Sequence, residues 1–532
     1  MRKAYPYIMC LVAILLAAAF MLVQCGGGST NPSSDSAKWT IIGYLDGNND
    51  LDNSQNNTSY VISDIHEMEE IGSTDDVQVI VMLGCLKTGG LCKYYHIEQH
   101  TSEMPDSVSS TVLEDMGTKD MSDPTSLKDF VKYCVDNYPA EHYMLVIDDH
   151  GGGWRGACVD EQNGAGDMMT LPEIRSALTY SDAPKFDIIV FHACLMSMVE
   201  VAYELKGCSN YMAACQFTMP MESVLGSQEW LGGLKQDPDL SAYELGQNIV
   251  DAVYNAGQNK GKLIHMALTD LSKVTDLSAN IATLGNHLIT ETGDYWSEVS
   301  HAWGETHYTQ YDDEAFVDLR EFVKKVLQED HLKENLLISA DANTVIDAVN
   351  AAVPYTKTNV AGLTRGGLCI HFPFRESDFD SANYVKTAFR ATNWHNFLSE
   401  FIKRAGGSTN QQAQVSGTVT WAGHTLSANA IAFLDSSHSN DVYIVSPTAI
   451  NRTTGAYTIT ITLQTPLEVF VEAWDNLNGD GYIDQGEGFG FYDANGNGDW
   501  DDMFTLSPGQ TLTGVNITLS TVTRNRVSLT KD

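Results

Sequence analysis

The chain has 532 residues and carries 69 Asp and Glu against 31 Lys and Arg, a formal net charge of -38 at pH 7. So acidic a surface repels phosphate and excludes a nucleic-acid-binding role, while it favours solubility and the binding of cations. The length suffices for a large core plus a further domain, and a hydrophobic fraction of 43% is that of an ordinary globular chain.

Residues 1–24 place Arg2 and Lys3 before a short apolar run, CLVAILLAAAFMLV, that ends at LVQC. Basic residues, a short apolar stretch and a Cys-Gly at its end predict a signal peptide rather than a membrane span. LVQC matches a lipobox, which makes Cys25 a lipidated N-terminus; an ordinary signal peptide or an anchor is the alternative. Gly26 follows rather than the Asp associated with inner-membrane retention, so an exported lipoprotein at the outer membrane or cell surface is expected. Residues 25–37, rich in Gly and Ser, read as a flexible tether.

From Trp39 the pattern is strand (WTIIGYL), acidic turn, helix (SYVISDIHEMEEIG) and strand (VQVIVMLG), and DPTSLKDFVKYCVDNY follows with helical spacing. Such alternation predicts an α/β fold with a mainly parallel sheet flanked by helices over residues 38–404. Asp46, at the first strand end, reads as a capping carboxylate for the turn after it. There are 10 cysteines, and Cys85 and Cys92, across LKTGGL, have hairpin spacing that suits a disulfide in an oxidising compartment. No pair has C-x-x-C zinc spacing.

Two apolar runs then stop at reactive side chains: YMLVIDDHGGGW at His150 and FDIIVFHACLM at Cys194. Both read as buried strands of a parallel sheet, and side chains at the carboxyl ends of such strands converge above it. A thiol reacts as thiolate, and a neighbouring imidazole supplies the base or ion-pair partner it needs. The glycines after His150 let backbone N–H groups approach a reacting carbonyl, so Gly151 and Cys194 are candidate oxyanion donors. Acyl transfer is the chemistry these features suit. A serine esterase reading fails for want of a G-x-S-x-G elbow. LMSMVEVAYEL reads as a helix whose N-terminus abuts the thiol and favours thiolate. YMAACQFT, KLIHMALTDL and GGLCIHFPF read as later core strands, with helices DLREFVKKVLQ and NTVIDAVNAAV between them and NWHNFLSEFIKR closing the unit.

In order, WTIIGYLDGNNDLD, NYPAEHYMLVIDDHGGGW, LPEIRSAL, ACLMSMVEVAYEL and GGLCIHFPF resemble the clostripain family of cysteine endopeptidases (peptidase family C11), in the caspase-like clan. The resemblance implies a caspase-like sheet, His150 as catalytic histidine and Cys194 as nucleophile. The family usually has Asp two residues before the nucleophile, implicated in selecting Arg or Lys at P1. His192 stands there instead. An imidazole supplies no fixed negative charge for a guanidinium, so His192 faces an acidic P1, pairs with a protein carboxylate, or is a plain structural substitution. Glu222 is either a replacement carboxylate of the substrate pocket or a solvated surface residue. The family often matures by cleavage after a basic residue in the interval following the His motif, yet no Lys or Arg lies between Arg155 and Arg175.

Residues 405–414 read as a linker. Over residues 415–520, VSGTVTW, AIAFLD, DVYIVS, YTITITL, LEVFVEAW and VNITLS are short alternating runs divided by turn residues, the signature of a small all-β sandwich; residues 521–532 form a tail. The layout resembles carboxypeptidase-regulatory-like and transthyretin-like modules. Within it, DNLNGDGYIDQGEG spaces oxygen ligands at Asn476, Asn478, Asp480, the Tyr482 carbonyl, Asp484 and Glu487, as in an EF-hand loop, with Asp475 available to offset the Asn in first place. Asp493, Asn495, Asn497, Asp499 and Asp501 form a second set that lacks the terminal Glu. Asx/Gly-rich turns are the alternative for both. Ca2+ is expected as a structural staple, and the chemistry itself needs no cofactor.

The expected activity is that of a secreted, lipid-anchored cysteine endopeptidase acting on protein or peptide substrates. An inactive surface binding lipoprotein, and a cysteine amidase or transpeptidase on the same fold, remain the alternatives.

Overall fold

The structure, a computed structural model, describes residues 36–52, 59–100, 107–220, 224–306, 315–360, 365–404, 411–435, 442–463, 466–478, 483–494, 496, 503–523 and 529–531. Cys25 and the leader before it lie outside these residues. Among the described residues no helix is long and apolar enough to cross a membrane.

The first unit is built on a nine-stranded sheet of β1 (Ala37–Gly47), β2 (Val77–Cys85), β3 (Leu91–His96), β4 (Thr111–Thr118), β5 (Ala140–Asp148), β8 (Phe186–His192), β9 (Ser209–Cys215), β10 (His265–Asp270) and β12 (Tyr355–Thr358). Its order is β12-β10-β9-β8-β5-β1-β2-β3-β4. The five central strands β9, β8, β5, β1 and β2 run parallel, and the pairs outside them are antiparallel. Two small ladders lie outside this sheet: β6 (Ala157–Val159) with β7 (Met168–Met169), and β11 (Phe316–Asp318) with β13 (Cys369–His371). The run GGLCIHFPF, expected in the core sheet, thus forms the short β13, joined to the chain after the thiol by a bridge between Met198 and Cys369.

Alternation along the central strands divides their side chains between two cores, as period-2 geometry requires. Ile42, Tyr44, Leu145, Ile147, Ile189 and Phe191 face one way, against the helices Pro124–Asn137, Leu171–Leu178, Val199–Leu205 and Val274–Glu291. Ile41, Leu45, Met144, Val146, Ile188 and Val190 face the other, against the helices Tyr60–Glu69, Ser227–Gln236 and Ala242–Asn259. Strands covered on both faces read as unbroken apolar runs, which is what makes them conspicuous in the sequence.

Cys85 and Cys92 are free and buried, which overturns the expected disulfide. In the β2–β3 ladder Cys85 stands opposite Leu91 and Cys92 opposite Gly84. The two thiols are therefore one residue out of register and belong to opposite cores. Cys85 instead bonds Asp52 at 3.0 Å and Cys92 the Lys119 carbonyl at 3.4 Å.

Beyond residue 410 comes a second β system: β14 (Gln411–Trp421), β15 (Ala430–Asp435), β16 (Val442–Ala449), β17 (Ala456–Leu463), β18 (Leu467–Asp475), β19 (Gly488–Phe491), β20 (Phe504–Leu506), β21 (Thr511–Thr513), β22 (Ile517–Thr521) and β23 (Leu529–Lys531). Its main path is β17-β14-β22-β19-β18-β15-β16-β23. Val415, Trp421, Leu434, Ile459, Val471 and Ile517 belong to its separate core. The strands begin at Gln411 and end at Lys531, so regular structure reaches into the expected linker and tail.

Candidate active site

The chain leaves β1 towards β2 on one side and, through β5, towards β8 and β9 on the other, so the sheet reverses direction of growth between β1 and β5. Ligand sites of open α/β sheets lie at such a switch point, outside the carboxyl ends of the strands. Here those ends carry Asp46 near the end of β1, Asn48 to Asp50 after it, His150 after β5 and Cys194 after β8. Register fixes the relation of the last two. Asp148 and His192 are Cα partners in the parallel ladder, and His150 and Cys194 each follow two residues later.

The two loops touch. A side chain at Gly151 would place its Cβ 2.2 Å from the Cys194 carbonyl oxygen and 3.0 Å from the Cys194 nitrogen. Gly153 has φ +61, and a Cβ there would meet Met198 Sδ at 2.4 Å and Phe316 at 2.9 Å. The glycines after the histidine are therefore demanded by close approach, at Gly151, and by a left-handed turn, at Gly153.

His150 Nε2 lies 2.7 Å from Asp50 Oδ1, an exposed pairing absent from the sequence reading. Cys194 is partly buried, with its Sγ 3.2 Å from the Met219 N–H. Burial pushes the thiol up from its ordinary value, and the Met219 amide partly offsets this. The expected helix dipole at the thiol is absent, because the helix runs only over Val199–Leu205. Between it and Cys194 the chain is tied down otherwise: Leu195, at φ 65, donates to the Phe217 carbonyl at 3.1 Å and Ser197 to the Cys215 carbonyl at 2.9 Å.

His192 is not displayed alone. Parity puts it and Asp148 on the sheet face covered by the helix Tyr60–Glu69, which contributes Asp64. Its Nδ1 lies 2.8 Å from Asp148 Oδ1 and 3.5 Å from Asp64 Oδ2, and the three residues are 7%, 3% and 1% exposed. Burial by itself lowers an imidazole, but the charges of Asp148 and Asp64 outweigh it and raise His192 to about 9. The imidazolium is thus neutralised by protein carboxylates, one of the three roles its sequence position left open. Glu222 lies outside the described residues.

On the opposite face, Asp46, Asp149 and Asp160 are all buried. Asp46 caps its own turn, accepting from the Asn48 N–H at 2.9 Å. Asn48 Nδ2 reaches Asp160 at 2.9 Å, and Asn49 Nδ2 reaches Asp149 at 2.7 Å. Burial raises Asp149 to about 7, against the pull of His150, and holds Asp46 well above the carboxylate range, with Asp149 and Asp160 adding repulsion. Asp160 also organises the loop after the His motif, which holds no basic cleavage site, accepting from the N–H groups of Gln162 at 3.0 Å and Asn163 at 2.6 Å.

In the second β system, Glu487 is buried and accepts from Trp474 Nε1 at 2.9 Å, from the Asp484 N–H at 3.1 Å and from the Asn478 N–H at 3.4 Å. Asn478 Nδ2 reaches Asp484 at 3.1 Å. Asn478, Asp484 and Glu487 are thereby drawn together, with Asn476 beside them in the chain. Asp475 is turned away, its carboxylate accepting from the N–H and hydroxyl of Ser427, so it does not supplement the loop. Asp493 bonds the Gly496 N–H at 2.6 Å. Asp480, Tyr482, Asn495, Asn497, Asp499 and Asp501 lie outside the described residues.

Residues 44–399 match the clostripain family, Peptidase_C11. Clostripain of Hathewaya histolytica is 37% identical over 99 residues, 16% of this chain and 18% of that protein, so the alignment spans less than a fifth of the relative. An inactive zymogen C11 protease from Parabacteroides distasonis superposes with a TM-score of 0.50 at 19% identity, covering 67% of this chain and 98% of that one. A secreted C11 cysteine protease from Bacteroides thetaiotaomicron, solved with an irreversible peptide inhibitor, gives 0.51 at 19% identity over 68% and 99%. The likeness to these structures is one of fold.

Proposed function

The chain belongs to the clostripain family, and on that premise we propose that it is a cysteine-type endopeptidase whose nucleophile is Cys194 and whose acid–base group is His150. The observation that carries this reading is the placement of both side chains two residues beyond a registered pair on adjacent parallel strands. The Cys194 sulfur attacks the scissile carbonyl and forms a thioester. His150 takes the thiol proton and delivers it to the leaving amine, and water then hydrolyses the thioester. Because burial favours the neutral thiol, the thiolate forms by proton transfer to His150 when substrate is bound. Asp50 holds the imidazole, and the N–H groups of Gly151 and Cys194 face the developing oxyanion.

P1 selection does not run through a fixed negative charge at position 192, since His192 is engaged by Asp148 and Asp64. A preference other than Arg or Lys follows. The enzyme is exported and lipid-anchored through Cys25 at the outer membrane or cell surface. In the second β system, Asn476, Asn478, Asp484 and Glu487, with Asp480 and the Tyr482 carbonyl, hold a structural Ca2+; their all-oxygen chemistry suits a hard cation. The weaker second loop uses Asp493, Asn495, Asn497, Asp499 and Asp501.

The test is cleavage of a P1-diverse fluorogenic peptide library, with calcium, by the soluble form beginning after Cys25 and by its Cys194→Ala variant. Turnover that disappears with Cys194 supports the peptidase. No cleavage and no labelling by thiol-directed peptide probes would leave a binding lipoprotein. Capture of the acyl group by added amines would identify a transpeptidase.

A further inference from the structure

We propose that Asp64, Asp148 and His192 form a binding site for a first-row transition metal ion of the zinc class, buried beneath the thiol and separate from the calcium loops. The three side chains come from different elements, the helix Tyr60–Glu69, β5 and β8, and one ligand atom from each lies within 4.8 Å of the other two. A tetrahedral ion held at zinc–nitrogen and zinc–oxygen distances has ligand–ligand edges of about 3.4 Å. The Nδ1 separations of 2.8 Å to Asp148 and 3.5 Å to Asp64 bracket that edge. The Asp148 contact has to open by roughly half an ångström on that geometry.

A second observation points the same way. Asp148 Oδ2 is buried and has no hydrogen-bond partner among the described residues. An oxygen in that condition carries a desolvation cost that a cation relieves. One imidazole with two carboxylates is a borderline donor set, which suits zinc, cobalt or nickel better than calcium. Three protein ligands leave a fourth position for water.

The experiment uses the protein with Cys194→Ala, which removes the thiol as a rival soft ligand, and saturating calcium, which fills the oxygen-ligand loops. Zn2+ is titrated in competition with a chromogenic chelator, and Co2+ is followed by its visible absorption. The expected result is one equivalent of zinc per chain and an intense tetrahedral Co2+ band. His192→Asn should weaken binding at least a hundredfold, and Asp64→Asn at least tenfold. If the Cys194→Ala protein takes up no zinc, the site is refuted; this result does not depend on a ligand variant folding. Unchanged affinity and spectrum in folded His192→Asn would refute it as well, by placing the ion elsewhere.

Discussion

The His192 network makes a quantitative statement about stability. Folded His192 is raised from 6.5 to about 9, so the stabilisation it brings is complete below pH 6.5 and is lost as pH rises through about 9. At about 1.4 kcal/mol per tenfold change, this is about 3 kcal/mol, and burial of all three partners leaves no reason to discount it for solvent screening. Asp149 and Glu200, both raised to about 7 chiefly by burial, also lose stability with rising pH, but their contribution ends near that value. Between about pH 7.5 and 9, Asp46 and the buried thiols, also raised by burial, lose stability as well, so the His192 contribution is read against a variant that lacks it. Urea unfolding of the first unit, followed by intrinsic fluorescence in EDTA, should show a fall across that interval. His192→Asn should be less stable at pH 7 by about 3 kcal/mol, since it leaves two buried carboxylates without their cation, and should fall less steeply across the interval. Equal slopes in the two proteins would show that Asp148 and Asp64 do not hold an imidazolium.

The Asp50–His150 pair is exposed, so Asp50→Asn should lower kcat/KM only a few-fold, up to about fivefold for about 1 kcal/mol; a loss of several hundredfold would make Asp50 part of the chemistry. Gly151→Ala puts a methyl 2.2 Å from the Cys194 carbonyl. The loops must separate, and kcat should fall on the order of a hundredfold while a thermal melt still shows a folded protein; wild-type turnover would refute the close approach. Chelation by EGTA should lower the melting temperature of the second β system, and Glu487→Gln should abolish that calcium dependence. An unaltered melt with and without calcium would count against the staple.

The fold and the placement of His150 and Cys194 at neighbouring strand ends were legible because the strands that carry them are covered on both faces and therefore appear as uninterrupted apolar runs. The carboxylates around them were not. Asp64 lies on an amphipathic helix and looks in sequence like any polar residue there, until the helix is placed over β5 and β8. Asp50 sits in an acidic turn, and only the closure of β1 against β5 brings it to His150. The Cys85–Cys92 spacing fitted a hairpin, but seven is an odd separation, and in this ladder opposed residues share parity, so the thiols point to opposite faces. The helix after Cys194 was expected too early because its apolar periodicity begins before its hydrogen bonding does.

The clamp on the thiol loop also sets a timetable. Ser197, three residues beyond Cys194, accepts an N–H from Cys369 at its carbonyl at 2.8 Å and donates its hydroxyl to the Gly367 carbonyl at 2.6 Å. A nascent chain thus carries Cys194 long before it holds the residues that fasten the loop. Closing so long a segment is slow relative to local structure. The cell that synthesises this protein therefore meets the Cys194 loop in finished form only when nearly the whole first unit has left the ribosome.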